Sequence, residues 1–126
     1  MSMSLFRKSE KQVAEAAALQ AEIERLKALD VDSLAVVLLP GLRPDGPGTS
    51  MRVQQLCCYL VRDFPGAGQQ KPLVLSAYVN DALKKLEKAE LVSPLYLQRS
   101  PVWRLTPLGG RTLTEGTIKE QLRKVS

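Results

Sequence analysis

Residues 82–110 read ALKKLEKAELVSPLYLQRSPVWRLTPLGG, and the order of signals in this stretch decides the fold. Leu83, Leu86 and Ala89 recur at helical spacing and continue back through Ala82 and Val79. One stripe of a helix starting at Ser76, whose hydroxyl can cap free backbone N–H groups, is therefore apolar. Leu91-Val92 leaves that helix and Pro94 prevents its return, because the residue before a proline is pushed out of helical conformation. Leu95-Tyr96-Leu97 and Val102-Trp103-Arg104-Leu105 follow as short strand candidates, with Gln98-Arg99-Ser100-Pro101 as a compact hairpin tip. Thr106-Pro107 then supplies a hydroxyl cap and a proline for the first position of another helix, which Gly109-Gly110 should shorten or distort.

Upstream, MRVQQLCCYLVRDF at residues 51–64 reads as a helix with Val53, Leu56, Cys57, Leu60 and Phe64 inward and Arg52, Gln55, Arg62 and Asp63 outward. Thr49-Ser50 offers its N-cap and Pro65-Gly66-Ala67-Gly68 ends it. The preceding LRPDGPGTS is a connector. Before it, LAVVLL forms a short helix starting after Asp32 or Ser33 and stopping at Pro40-Gly41; being apolar nearly all round, it belongs in a core.

Residues 9–29 read as one helix, with Ser9 and Gln12 spaced as a capping box. Its stripe of Val13, Ala16, Leu19, Ile23 and Leu26 suits either a second copy of the chain or the domain's own core. Downstream, Thr117-Ile118-Lys119-Glu120 matches a capping box, and Ile118, Leu122 and Val125 give a last helix its apolar stripe. The predicted fold is mainly α with a small β-hairpin, a winged helix-turn-helix with flanking N- and C-terminal helices. It divides into a helical region at 1–47 that can act as a dimerisation arm, a winged domain at 48–116 and a C-terminal helix at 117–126.

Composition bounds the function. The 126 residues are 44% hydrophobic and 25% charged, ordinary values for a globular chain. The longest apolar run, residues 34–39, is too short to span a membrane, and MSMSLFRKSEK lacks the apolar core of a signal peptide, so a cytoplasmic protein is expected. The net charge of +5 is uneven: residues 1–47 hold six Lys/Arg against seven Asp/Glu, and residues 71–126 hold ten against five. A basic C-terminal half suits a polyanion.

The chain has no histidine, its two cysteines are adjacent at Cys57-Cys58, and GLRPDGPGTS lacks the lysine and spacing of a phosphate loop. Glu22 and Glu24, at i and i+2, face apart on a helix. No catalytic, metal or cofactor site is expected, and two apolar thiols suit a reducing compartment.

Leu83-Lys84-Lys85-Leu86-Glu87-Lys88-Ala89-Glu90-Leu91-Val92 resembles the end of the recognition helix in winged-helix regulators of the MarR and PadR types. Trp103-Arg104-Leu105-Thr106-Pro107-Leu108-Gly109-Gly110-Arg111 resembles their exit from the wing. The likeness covers residues 74–113, with 51–64 as the preceding helix. Two features depart from it: Glu90 stands where glycine is usual, and residues 64–75 make a longer link than a three- or four-residue turn. The resemblance implies a homodimeric regulator of transcription binding double-stranded DNA sequence-specifically, with residues 76–90 in a major groove and the 98–101 tip on backbone or minor groove.

On that helix, Tyr78, Asn80 and Asp81 lie where bases are read, asparagine pairing with adenine and a carboxylate accepting from cytosine. Lys84, Lys85 and Lys88 suit phosphates, and lysines near a helix C-terminus are equally favoured on a merely solvated face. Arg99 at the tip and Arg104 on the outer side of its strand complete the DNA-facing set, while Trp103, between them in chain order, belongs to the core. The alternative is a winged-helix module binding another protein in a larger assembly.

Overall fold

The computed structural model describes residues 2–42, 51–64, 73–97 and 100–125; within the first helix, side chains are described at Glu10 and from Val13 onward. Helix α1 spans Ser2–Lys27, α2 Val31–Leu38, α3 Val53–Leu60 and α4 Ser76–Lys88. Strands β1 (Val92–Leu97) and β2 (Ser100–Leu105) follow, then α5 (Pro107–Glu115) and α6 (Ile118–Arg123). The described residues are thus mainly α-helical with a small antiparallel hairpin. No helix among the described residues is long and apolar enough to cross a membrane.

Helix α1 begins seven residues earlier than the Ser9 capping box predicts, at Ser2. Nothing between Ser2 and Ser9 is a helix breaker, so the helix runs through the serine. The two uses open to its apolar stripe separate along its length. Leu19, Ile23 and Leu26 are buried in the protein's own core, whereas Val13 is 65% exposed and Ala16 is exposed.

Helix α2 starts two or three residues before its predicted position, because Asp30 takes the extended backbone of an N-cap. The Ser33 side chain holds the Asp30 carboxyl below the usual carboxylate value. Leu34, Ala35 and Leu38 are buried, but Val31 and Val37 face outward, so α2 is covered on one side rather than all round. It packs chiefly on α4 and also touches α6. A 3-10 turn at Leu39–Leu42 continues the core.

Helix α3 is shorter than predicted, starting at Val53 and ending at Leu60. The Thr49-Ser50 cap lies outside the described residues. Arg52 is the N-cap, and its backbone N–H donates to Oε1 of Gln55 at 2.8 Å. Leu56, Cys57 and Leu60 are buried as predicted, and Val53 and Phe64 pack partly against the core.

Met51, just before α3, exchanges two backbone hydrogen bonds with Trp103: 2.9 Å from Met51 N–H to the Trp103 carbonyl, and 2.7 Å from Trp103 N–H to the Met51 carbonyl. Met51 therefore borders β2 on the side away from β1. Trp103 spends both backbone groups on Met51, so its β1 neighbour Pro94 occupies a non-hydrogen-bonded position of the ladder. Two residues along, Pro101 opposite Tyr96 falls at the same kind of position. The hairpin thus carries two prolines without losing a bond between its strands.

Both strands are longer than predicted: Ser100 and Pro101, expected in the tip, belong to β2, and Leu97 pairs with Ser100. The gain follows from β1 starting at Val92, immediately after the helix exit. Trp103 is 5% exposed and belongs to the core; its indole N–H has no hydrogen-bond partner among the described residues.

Helix α5 begins as predicted. Thr106 is its N-cap, accepting from the Gly109 N–H at 2.9 Å, and Pro107 is its first residue. Gly109-Gly110 does not distort it, for the helix runs nine residues to Gly116, whose φ of +71° ends it in left-handed conformation. At α6 the predicted capping box is absent. Thr117 has ψ of 27°, outside the extended region from which a hydroxyl reaches the first-turn N–H groups, and makes no side-chain cap. Ile118 and Leu122 are buried and Val125 packs partly against the core.

One continuous core runs from Leu19 of α1 to Leu122 of α6. Each fully buried leucine in it, such as Leu38, Leu56, Leu83, Leu86 or Leu91, contributes about 1.5–3 kcal/mol through removal from water.

Candidate nucleic-acid interface

Helix α4 is the element on which the candidate residues stand. Its buried face is the one the spacing predicts: Val79, Ala82, Leu83 and Leu86, with Ala89 just past its end. Ser76 does not cap it. A 3-10 turn at Leu73–Leu75 runs straight into α4, so Leu75 precedes it in helical rather than extended conformation. Ser76 lies inside the helix, and its Oγ contacts Sγ of Cys57 on α3 at 3.9 Å. Helix α4 packs against both α2 and α3.

The helix ends where the sequence departs from the expected glycine. Glu90 has φ of +64°, the only left-handed non-glycine among the described residues. The Leu91 N–H bonds the Leu86 carbonyl and the Glu90 N–H bonds the Glu87 carbonyl, both at 2.9 Å. These two bonds make a Schellman exit, which glutamate occupies at a steric cost that glycine avoids.

Thr106 compensates from the far end of the hairpin. Its hydroxyl donates to the Glu90 carbonyl at 2.6 Å, and its N–H donates to the Leu91 carbonyl at 3.1 Å. The end of α4 and the start of α5 are thus bonded directly across the base of the hairpin, which fixes the hairpin relative to the helix.

Opposite the buried face, Ala77, Asp81, Lys84 and Lys88 form an exposed ridge at spacings of three and four. Asp81, Lys84 and Lys88 thus all face outward, on one side of the helix. Tyr78 is half-buried, packed against the core, and Asn80 is half-buried on the opposite flank.

Lys85 is half-buried and forms an ion pair with Asp32 of α2. Asp32 is the residue that sequence reasoning missed. Nothing local marks it, since the two residues lie in different helices and meet only when α2 packs on α4. The ridge is also flanked by exposed Glu87. With Lys85 matched by Asp32, the exposed charges of α4 are Lys84 and Lys88 against Asp81 and Glu87, a balanced set.

On the hairpin, Arg104 is exposed and opposite Ser93, on the face away from Trp103. Arg99 lies outside the described residues. On the α3 side, Arg62 stacks 4.1 Å above the Tyr59 ring and donates to the Tyr59 carbonyl at 2.9 Å, so it serves its own helix end. Cys57 is buried, which pushes its thiol pKa up, and Cys58 is exposed; neither is in a disulfide.

Comparison with protein-family models, curated proteins and solved structures finds no match to the chain.

Proposed function

We propose that the chain is a winged helix-turn-helix protein that binds double-stranded DNA through α4, as a regulator of transcription does. The observation that carries this reading is the ridge of Ala77, Asp81, Lys84 and Lys88, which faces outward from a helix packed against α2 and α3. Supporting it is the order of elements: α2, the Met51 edge, α3, α4 and then a hairpin bonded to the end of α4. That order is the arrangement in which a second helix enters a major groove and a wing lies beside it.

In this mechanism Lys84 and Lys88 anchor phosphates, while Asp81 and the half-exposed Asn80 and Tyr78 lie nearer the helix start, where base edges are met. Arg104 and Arg99 are the contributions of the wing. Lys85 contributes to α2–α4 packing instead of direct anchoring, because Asp32 already neutralises it.

A winged-helix module that binds another protein is the second reading, and the balance of exposed charges on α4 favours it. Duplex affinity measured against salt separates the two. For a DNA binder, Lys84→Ala with Lys88→Ala lowers the slope of log K against log salt by about 2, and Lys85→Ala leaves it nearly unchanged. No duplex binding at low salt, or an unchanged slope in the double variant, removes the DNA reading and leaves the protein partner.

A further inference from the structure

Asp81 is an anion on the surface that is proposed to meet phosphates. It stands between Ala77 and Lys84 on the exposed ridge, midway along α4, and has no ion pair among the described residues. Its partner by spacing is Lys85, four residues on, since an acid four positions before a lysine is the better order for pairing on a helix.

Asp32 takes that lysine instead. It lies in the first turn of α2, and Lys85 lies in the last turn of α4. A carboxylate is favoured at the start of a helix and an ammonium group at the end, so each charge sits where its own helix stabilises it. Both side chains are 24% exposed, and a pair so shielded is screened less by salt than a surface pair. Packing of α2 on α4 therefore engages Lys85 and leaves the Asp81 carboxylate unmatched.

We infer that Asp32 is a positioning residue for sequence recognition: by holding Lys85, it keeps the Asp81 carboxylate free to accept a hydrogen bond from the exocyclic amine of a cytosine in the major groove. The inference rests on the DNA reading above. An ionised carboxylate only accepts. Guanine presents N7 and O6, thymine presents O4, and adenine presents N7 beside its amine, so each places an acceptor against it. Cytosine presents a donor alone. With no lysine paired to it, Asp81 keeps its full charge and rejects the other bases as well as accepting this one. A released Lys85 pairs with Asp81, masks the acceptor and removes the discrimination.

The test is selection of bound duplexes from a randomised pool by the full chain and its variants, with circular dichroism to confirm that each is folded. Sites retained by the parent share a fixed cytosine. Asp81→Asn, a change at an exposed position, replaces that cytosine with adenine, which asparagine reads through N6 and N7. Asp32→Asn lowers the preference for cytosine by about tenfold, because Lys85 turns to Asp81. Adding Lys85→Met to Asp32→Asn restores the preference, a rescue that loss of α2–α4 packing alone does not give. Parent sites without a fixed cytosine, an Asp81→Asn variant that keeps it, an Asp32→Asn variant with undiminished preference, or a double variant without rescue overturns the inference and leaves duplex binding standing. A parent that retains no duplex at low salt removes the DNA reading and this inference with it, and leaves a protein partner for the ridge.

Discussion

The hydroxyl of Thr106 donates to the carbonyl of Glu90 at 2.6 Å and accepts from the N–H of Gly109 at 2.9 Å, so one side chain closes α4 and opens α5. The hairpin between them has its two ends fixed by this group. Thr106→Val keeps the shape and removes both bonds, and it should lower stability by about 1–2 kcal/mol. Thr106→Ser retains the oxygen and should stay within about 0.5 kcal/mol of the parent. Urea denaturation of both variants checks the contrast; equal stability of valine and serine at this position contradicts it.

Glu90 holds a left-handed conformation whose cost comes from its Cβ. Glu90→Gly removes that cost and should raise stability by about 0.5–1 kcal/mol, seen as a higher urea midpoint with an unchanged slope. A lower midpoint would show that the Glu90 side chain contributes more than its backbone strain removes.

The neighbouring glycines of α5 should respond in opposite directions. A Cβ built on Gly109 lies 1.9 Å from the Leu91 carbonyl oxygen, a backbone atom that is already bonded to Thr106. Gly109→Ala must push α5 off the end of α4 and should cost about 3 kcal/mol. A Cβ on Gly110 meets nothing within 4 Å, so Gly110→Ala gains helix propensity and should stabilise by about 0.5–1 kcal/mol. Thermal unfolding of the pair measures both signs at once.

The adjacent cysteines should separate kinetically. Burial raises the pKa of Cys57 above its ordinary 9.0, so the neutral thiol is the folded form and its thiolate is scarce. An alkylating reagent should modify exposed Cys58 quickly and Cys57 only on unfolding, which mass spectrometry of the labelled peptide resolves. In terms of linkage, the folded value lies above the unfolded one. The stabilisation from keeping this thiol neutral is therefore whole below pH 9.0 and is lost as pH rises through the folded value. Cys57→Ala should flatten that alkaline decline.

Local chemistry is what the sequence itself determined. The apolar face of α4, the Thr106-Pro107 start of α5 and the break at Pro94 are legible because helix periodicity, capping and proline sterics act over a few residues. A mainly α chain with one small hairpin follows from those signals. So does the ridge of Asp81, Lys84 and Lys88, which is the complement of Val79, Ala82, Leu83 and Leu86 on a 3.6-residue period.

Tertiary structure decided what depends on residues far apart in the chain. Lys85 resembles Lys84 in sequence and differs only because Asp32 reaches it when α2 packs on α4. Ser76 has the chemistry of a cap but sits inside a helix, since the 3-10 turn before it already has helical backbone. Met51 reads as part of a helix until Trp103 offers it both backbone bonds. The stripe of α1 can serve a partner or a core by its own pattern, and only the packing assigns Leu19, Ile23 and Leu26 inward, leaving Val13 and Ala16 exposed. In each case the deciding interaction is between segments whose separation no local period or cap records.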